Sequence, residues 1–167
     1  MLRVCVAALL LSSSLGGCSS EADEQPPIEE RAQALLDAWP EGFTQINAAR
    51  VPMSAHNMTE VDTWVLDAYA DVYRKIIPMP EEGSGVQMEP GAAVIKVSYD
   101  AEGNRVGGTM LYKGEAGYDE SFGDWFCAEV TEDFQFGMTG RITYCADCHV
   151  GRASDDYLWG IALDNRN

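Results

Sequence analysis

Three residues near the end of the chain have types and a spacing that suit covalent chemistry on a porphyrin. The segment Cys145-Ala-Asp-Cys148-His149 is the pattern of c-type haem attachment. Two thiols three positions apart can form thioethers with the two vinyl groups on one porphyrin edge, and the adjacent imidazole can bind the iron. The pattern therefore predicts one covalently bound haem c, attached through Cys145 and Cys148, with His149 as the proximal axial ligand.

Two other uses of these cysteines stay open, a redox disulfide and a zinc site. A redox Cys-x-x-Cys usually lies early in a chain, near a βαβ unit, whereas this one lies near the C-terminus. Zinc would need two further ligands, and the sequence offers only His56 and Cys127 for that role. If haem takes Cys145 and Cys148, a buried inert thiol is the default interpretation of Cys127.

The residues after the haem motif contain no strong iron ligand. The eighteen residues that follow His149 include no Met, His, Cys or Lys, and all seven Met lie upstream. A Met well after the motif is the usual sixth ligand in small electron-transfer cytochromes. His56 or an upstream Met could ligate the iron, but no pattern marks either for it. The sequence therefore favours an iron with one open face, able to bind a small gas or a small nitrogenous ligand.

The first residues have the features of an export signal. Arg3 precedes an apolar stretch of about eight residues, the length of a signal-peptide core. The chain then reaches Leu15-Gly16-Gly17-Cys18, which resembles a bacterial lipobox; an ordinary secretory signal is the alternative. We expect a lipoprotein signal peptide over 1–17, an acidic tether over 18–27 and a haem domain over 28–167. Lipidation of Cys18 would then anchor the protein to a membrane in the bacterial periplasm.

The charge of the chain restricts its partners. It carries 11 Lys and Arg against 27 Asp and Glu, a formal charge of −16. A chain that starts at Cys18 keeps every acid and loses only Arg3, which gives −17. Such a polyanion repels nucleic acid and anionic lipid headgroups, so the lipid is the only membrane contact that we expect. An acidic surface fits a basic redox partner, although solubility alone also explains it.

Two apolar stripes in the first half of the mature chain predict helices. Ile28, Ala32, Leu35 and Trp39 recur at helical spacing, after Pro27 at the expected first helical position and before Pro40. A second stripe runs from 61 to 72 and is ended by the prolines at 78 and 80. We interpret both stripes as faces that pack against the core.

After residue 90 the pattern changes to that of antiparallel strands. The β-rich segments 93–99 and 105–113 flank turn residues and predict a hairpin, and Gly107-Gly108 indicates a bulge or a close backbone approach. Residues 124–131 alternate, with Trp125, Cys127 and Glu129 on one face, and 134–136 can pair back. Helices followed by strands predict an α+β class, with a mainly antiparallel sheet and N-terminal and flanking helices.

Taken in order, several segments resemble the cytochrome P-460 family. The haem motif alone is common to many cytochromes, but the combination of segments is more specific, and it covers most of the mature chain. The matching segments are Ala93-Val94-Ile95-Lys96, Gly107-Gly-Thr-Met-Leu-Tyr-Lys113, Gly117-Tyr118-Asp119, Gly123-Asp124-Trp125-Phe126 and Asp156-Tyr157-Leu158-Trp159-Gly160, with Ser54-Ala55-His56 nearer the N-terminus.

The resemblance implies a fold, an activity and a set of partners. It implies an antiparallel sheet with flanking helices, and a homodimer as the candidate assembly. Members of the family include periplasmic oxidoreductases that oxidise hydroxylamine, so the resemblance implies an enzyme that acts on reactive nitrogen species. The related cytochromes c′-beta imply the alternative, a non-enzymatic protein that binds NO or CO or transfers electrons.

The resemblance also implies roles for particular side chains. Lys113 matches the position of a lysine that is joined to the porphyrin edge in the enzymes; the alternative is a strand-end lysine that faces solvent. The enzymes resemble one another in a carboxylate soon after the haem His. Here the first acid is Asp155, a candidate base that could equally cap a turn. For Arg152, we favour a solvated surface side chain.

Overall fold

The structure is a computed structural model, and it describes residues 25–52, 60–78 and 83–167. Within them a seven-stranded antiparallel sheet is accompanied by three α-helices, which confirms the predicted α+β class. The helices are α1 (Ile28–Ala38), α2 (Asp67–Tyr73) and α3 (Thr143–His149). The strands are β1 (Phe43–Gln45), β2 (Val51–Pro52), β3 (Glu60–Leu66), β4 (Ala93–Tyr99), β5 (Arg105–Lys113), β6 (Trp125–Val130) and β7 (Phe136–Gly140).

The strands follow the order β1-β3-β4-β5-β6-β7, and β2 also pairs with β3. Short 3₁₀ turns lie over Glu120–Phe122, Val150–Asp155 and Leu163–Asn165. None of the helices described is long and apolar enough to span a bilayer.

The hairpin predicted after residue 90 is confirmed as β4 and β5. Its turn is closed by the backbone N–H of Asn104, which donates to the Asp100 carboxylate over 2.7 Å. A Cβ on Gly108 would lie 2.0 Å from the Lys96 carbonyl oxygen, so only glycine allows this approach of β5 to β4. The Gly107-Gly108 pair therefore marks a close backbone approach, as its sequence indicates.

The second predicted helix is wrong over its first half. Residues Glu60–Leu66 form β3, which pairs with β4 through Thr63 and Lys96, and the helix begins only at Asp67. Val61 and Val65 fit a helical stripe as well as alternate positions of a strand, so the spacing alone does not separate the two. Pairing with β1 and β2 on one side and β4 on the other decides for the strand.

Two other boundaries follow the sequence more closely. The first helix is confirmed as α1, although Pro27 occupies the N-cap position, just before the first helical residue, rather than the first helical position itself. The returning strand β7 begins at Phe136 rather than at Phe134. Phe134 is instead part of a turn, in which the backbone N–H of Thr131 donates to the carbonyl of Gln135 over 2.9 Å.

The sheet buries both of its faces. On the α1 face, Ala32 and Leu36 of α1 pack in a cluster with side chains such as Ile95, Met110 and Phe126. On the opposite α3 face, the core continues from the sheet into α2, α3 and the C-terminal segment. That cluster includes Val65, Tyr73, Ile76, Val94, Leu111, Trp125, Cys127, Ile142, Cys145 and Leu158. The predicted alternation of Trp125 and Cys127 against Phe126 is thereby confirmed.

Candidate functional site

The three residues of the haem motif lie on one side of α3. Cys145, Cys148 and His149 occupy positions i, i+3 and i+4 of this helix, and such positions are neighbours on a helix surface. Cys145 and His149 are buried against the sheet, whereas Cys148 is exposed. A porphyrin joined to both sulfurs would therefore have one thioether inside the protein and the other near the surface.

A backbone carbonyl fixes the orientation of His149. Its Nδ1 lies within hydrogen-bond distance of the carbonyl oxygen of Tyr157. A carbonyl can only accept, so the neutral imidazole carries its proton on Nδ1 and its lone pair on Nε2. Metal-binding histidines commonly use this arrangement, because it presents Nε2 to the metal. Phe122 supports the ring from the side in an edge-to-face contact, at 6.1 Å between centroids.

A pocket separates α3 from the sheet beside the motif. It is a narrow cleft, partly open to solvent, with a cavity volume of only about 20 Å³. Apart from Cys145 and His149, most of its wall comes from β4 and β5. The described lining residues are Val94, Lys96, Thr109, Met110, Leu111, Ala128, Cys145 and His149.

A row of polar residues crosses the sheet next to this apolar wall. Thr63 pairs with Lys96, Lys96 with Thr109, and Thr109 with Glu129. Directly paired residues lie on the same face of a sheet, so all four side chains share the α3 face. The wall of the pocket is therefore apolar around Val94. It becomes polar at the next position on the same face of β4, which is Lys96, and at the residues that lie beside it on the neighbouring strands.

Lys96 is the site residue that the sequence reasoning missed. It lines the pocket, and burial lowers the pKa of its amine to about 8. The signal in the sequence was a single charge inside Ala-Val-Ile-Lys-Val, because strands buried on both faces have near-continuous apolar runs. No ion pair or hydrogen bond of the Lys96 amine is formed within the ranges that the structure describes.

Lys113, the predicted cross-linking residue, lies elsewhere. Its amine contacts both carboxylate oxygens of Asp156, at 2.6 and 2.7 Å, and both side chains are nearly inaccessible to solvent. Asp156 also accepts from the backbone N–H of Met88, and its own carbonyl accepts from the Trp125 indole. The alternative of a solvent-facing lysine is therefore wrong. The structure does not bring Lys113 to the described lining of the pocket.

Asp155, the candidate base, is likewise held in a buried ion pair. Its carboxylate contacts the Arg152 guanidinium and the backbone N–H of Ser84, and its side chain is fully buried. Arg152 also donates to the carbonyl of Ile77. The solvated Arg152 favoured by the sequence is therefore wrong, since the buried side chain joins the turn after α3 to the segment that follows α2.

Cys127 lies behind the haem motif. Its thiol is within hydrogen-bond contact of the Cys145 thiol, and this contact, followed by burial, raises the pKa of Cys127. The same hydrogen bond lowers the pKa of Cys145. The prediction that Cys127 is buried is confirmed, but its thiol is directly coupled to one of the two attachment cysteines.

The residues of the motif fit a covalently attached haem. They supply two thiols and one imidazole with its lone pair directed away from the backbone partner, beside a mostly apolar pocket. No group of three or more His, Cys, Asp or Glu that could by itself hold a metal ion occurs among the residues described. The predicted lipidation site Cys18 and the candidate ligand His56 lie outside the described residues.

Two comparisons with known proteins found no match. No protein-family model matches the chain, and no curated protein matches it significantly.

Proposed function

We propose that the protein is a mono-haem c-type cytochrome that acts on a small nitrogenous or gaseous ligand. Cys145 and Cys148 would hold the porphyrin through thioethers, and Nε2 of His149 would bind the iron. One observation carries the proposal: Cys145 and His149 line a single pocket, and the Nδ1 of His149 donates to the Tyr157 carbonyl. The cofactor, when bound, supplies ligand binding at iron and one-electron chemistry.

The side chains of the pocket support a reaction that moves protons. Val94 and Leu111 keep water away from the wall, while Lys96 and Thr109 place polar atoms beside it. An amine with a pKa of about 8 is close to the pH at which general acids and bases work best. This favours oxidation of a small nitrogenous substrate such as hydroxylamine, with Lys96 accepting or returning a proton.

The lysine cross-link implied by the family resemblance is an alternative use of the Lys96 amine, because an amine bonded to the porphyrin no longer titrates as a free lysine. Such a cross-link is better placed at Lys96 than at Lys113. Lys96 lines the pocket beside His149, whereas Lys113 is engaged by Asp156. Lys96→Arg and Lys113→Arg form a matched pair of variants, because each keeps the charge and removes the primary amine. If the wild type shows a red-shifted Soret band, that band should be lost in Lys96→Arg and kept in Lys113→Arg; the opposite result would return the role to Lys113.

The alternative is a gas-binding or electron-carrying protein without turnover. The haem-loaded wild type should oxidise hydroxylamine with an artificial electron acceptor, and its reduced form should bind carbon monoxide. Lys96→Met should lower turnover at least tenfold and remove the pH dependence near 8, while Lys75→Met, at an exposed lysine, should change neither. Carbon monoxide binding without turnover in the wild type would favour the gas binder. A six-coordinate low-spin iron would favour the electron carrier.

We further propose export and a lipid anchor at Cys18, with the acidic surface facing a basic redox partner. Mass spectrometry of the mature N-terminus should find an acylated Cys18, and Cys18→Ser should release the protein from the membrane fraction. An unmodified N-terminus at another residue would contradict the anchor. Sedimentation of the released protein would test for the homodimer.

A further inference from the structure

Two buried thiols from different parts of the chain meet at the N-terminal end of α3. Cys127 lies in the middle of β6 with its side chain on the α3 face. Cys145 lies in the first turns of α3, and its backbone N–H donates to the Ile142 carbonyl over 3.0 Å. The Ile142 backbone also interacts with the Cys127 thiol, so the same residue holds both cysteines in place.

The contact between the two thiols is polarised. The hydrogen bond between the two side chains lowers the pKa of Cys145, and the same contact together with burial raises the pKa of Cys127. A thiolate is the nucleophile in disulfide exchange. Cys145 also lines the pocket, which is partly open to solvent, whereas Cys127 is fully buried, so Cys145 is the more accessible of the two thiols.

We propose that Cys127 and Cys145 close a disulfide in the haem-free chain, and that this disulfide withholds Cys145 from haem attachment until it is reduced. The first half of the proposal depends only on the two thiols. The second half rests on the proposed function, because only a haem-binding role makes Cys145 an attachment point. Cys148, exposed on the same helix, then remains the one thiol of the motif that is free to react.

The chemistry balances with an external disulfide, RSSR, as the oxidant. The Cys145 thiolate attacks one sulfur of RSSR and forms a mixed disulfide, and RS⁻ leaves. Cys127 then loses its proton and attacks the Cys145 sulfur, and the second RS⁻ leaves. The two protein thiols are oxidised by two electrons, RSSR is reduced, and the two thiol protons yield two RSH. A dithiol reductant reverses both steps.

Peptide mapping of the full chain tests the first half. The chain is produced without haem attachment, exposed to oxidised glutathione and digested with trypsin under non-reducing conditions. Peptides 114–141 and 142–152 hold Cys127 and the motif cysteines respectively, and they should be recovered as one linked species. Cys148→Ser should keep the link, because it removes only the competing thiol, and Cys127→Ser should abolish it. A link that disappears in Cys148→Ser, or two free thiols in that variant, would overturn the proposal.

Haem loading of the same variants tests the second half. In cells that attach c-type haem, Cys127→Ser should carry covalent haem on at least twice the fraction of chains found in the wild type. Equal loading in a wild type that has the disulfide would overturn the blocking role. If neither chain acquires haem, even under reducing conditions, the proposed function fails, while the mapped disulfide stands on its own.

Discussion

The lowered pKa of Lys96 makes the free energy of unfolding depend on pH. Its pKa falls to about 8 in the folded chain, against about 10.4 in an unfolded one. Between these values the unfolded chain binds more protons, so the free energy of unfolding rises with pH. Below pH 8 the amine is charged in both states, and the slope vanishes.

We therefore expect Lys96→Met to differ from the wild type in its pH dependence. The free energy of unfolding of the haem-free wild type, measured by urea denaturation, should rise between pH 8 and pH 10 relative to the variant. The slope of this difference should not exceed about 1.4 kcal/mol per pH unit, the limit for one proton. Lys75→Met, which removes an exposed lysine, should show no such difference. A flat difference for Lys96→Met would mean that the amine is not desolvated.

The buried ion pair with Asp156 predicts that loss of the Lys113 charge lowers the free energy of unfolding. Removal of one partner from a buried pair leaves an uncompensated charge, which costs about 3–5 kcal/mol. Lys113→Met should lose about that much free energy of unfolding in urea denaturation. Asp71→Asn breaks an exposed pair with Arg74 and should cost less than about 1 kcal/mol. A loss below about 1 kcal/mol for Lys113→Met would show that the pair is not structural.

At the scale of elements, the spacing of β4 and β5 sets the position of Lys96. Gly108 faces the Lys96 carbonyl with no room for a side chain. Gly108→Ala must push the two strands apart, and overpacking of this kind costs about 1–3 kcal/mol. Urea denaturation should show that loss, and the pKa of Lys96 should move toward its ordinary value. Gly151→Ala, with nothing within 4 Å of the added carbon, is the control; equal stability of the two variants would contradict the strand contact.

The sequence could predict the elements whose signals are local. The β4–β5 hairpin follows from its turn residues and its strand composition, and the two faces of β6 follow from alternation. The prediction of a helix over the residues of β3 is wrong because the spacing of Val61 and Val65 fits both a helix and a strand. The strand forms because of partner strands that are distant in the sequence. Element types were therefore more predictable than the pairing that selects between them.

The candidate site was predictable only in part, for the same reason. The haem motif is a local signal, so Cys145, Cys148 and His149 could be found without a fold. The place of Lys96 in the pocket depends on how β4 packs against α3, and the sequence shows only a lysine in an apolar strand. The Tyr157 carbonyl that orients His149 is a backbone group, which leaves no trace in residue types.

At the scale of the whole molecule, the sheet serves as the wall against which α3 presents its motif. The α1 face packs α1, and of its cluster only Met110 and Ala128 also border the described pocket. The α3 face gathers the motif, Lys96 and the buried pair of cysteines. We therefore propose that a haem is covalently held on this face, whichever small ligand the protein handles.

The most direct test of that claim is the intact mass of the polypeptide after acid-acetone extraction. The chain should be produced in cells that attach c-type haem, with Cys145→Ala, Cys148→Ala and the double variant in parallel. We expect the wild-type polypeptide to keep the mass of one haem, each single variant to hold at most one thioether, and the double variant to lose the haem completely. A wild-type polypeptide recovered at its bare mass, with the haem in the extract or absent, would contradict the account.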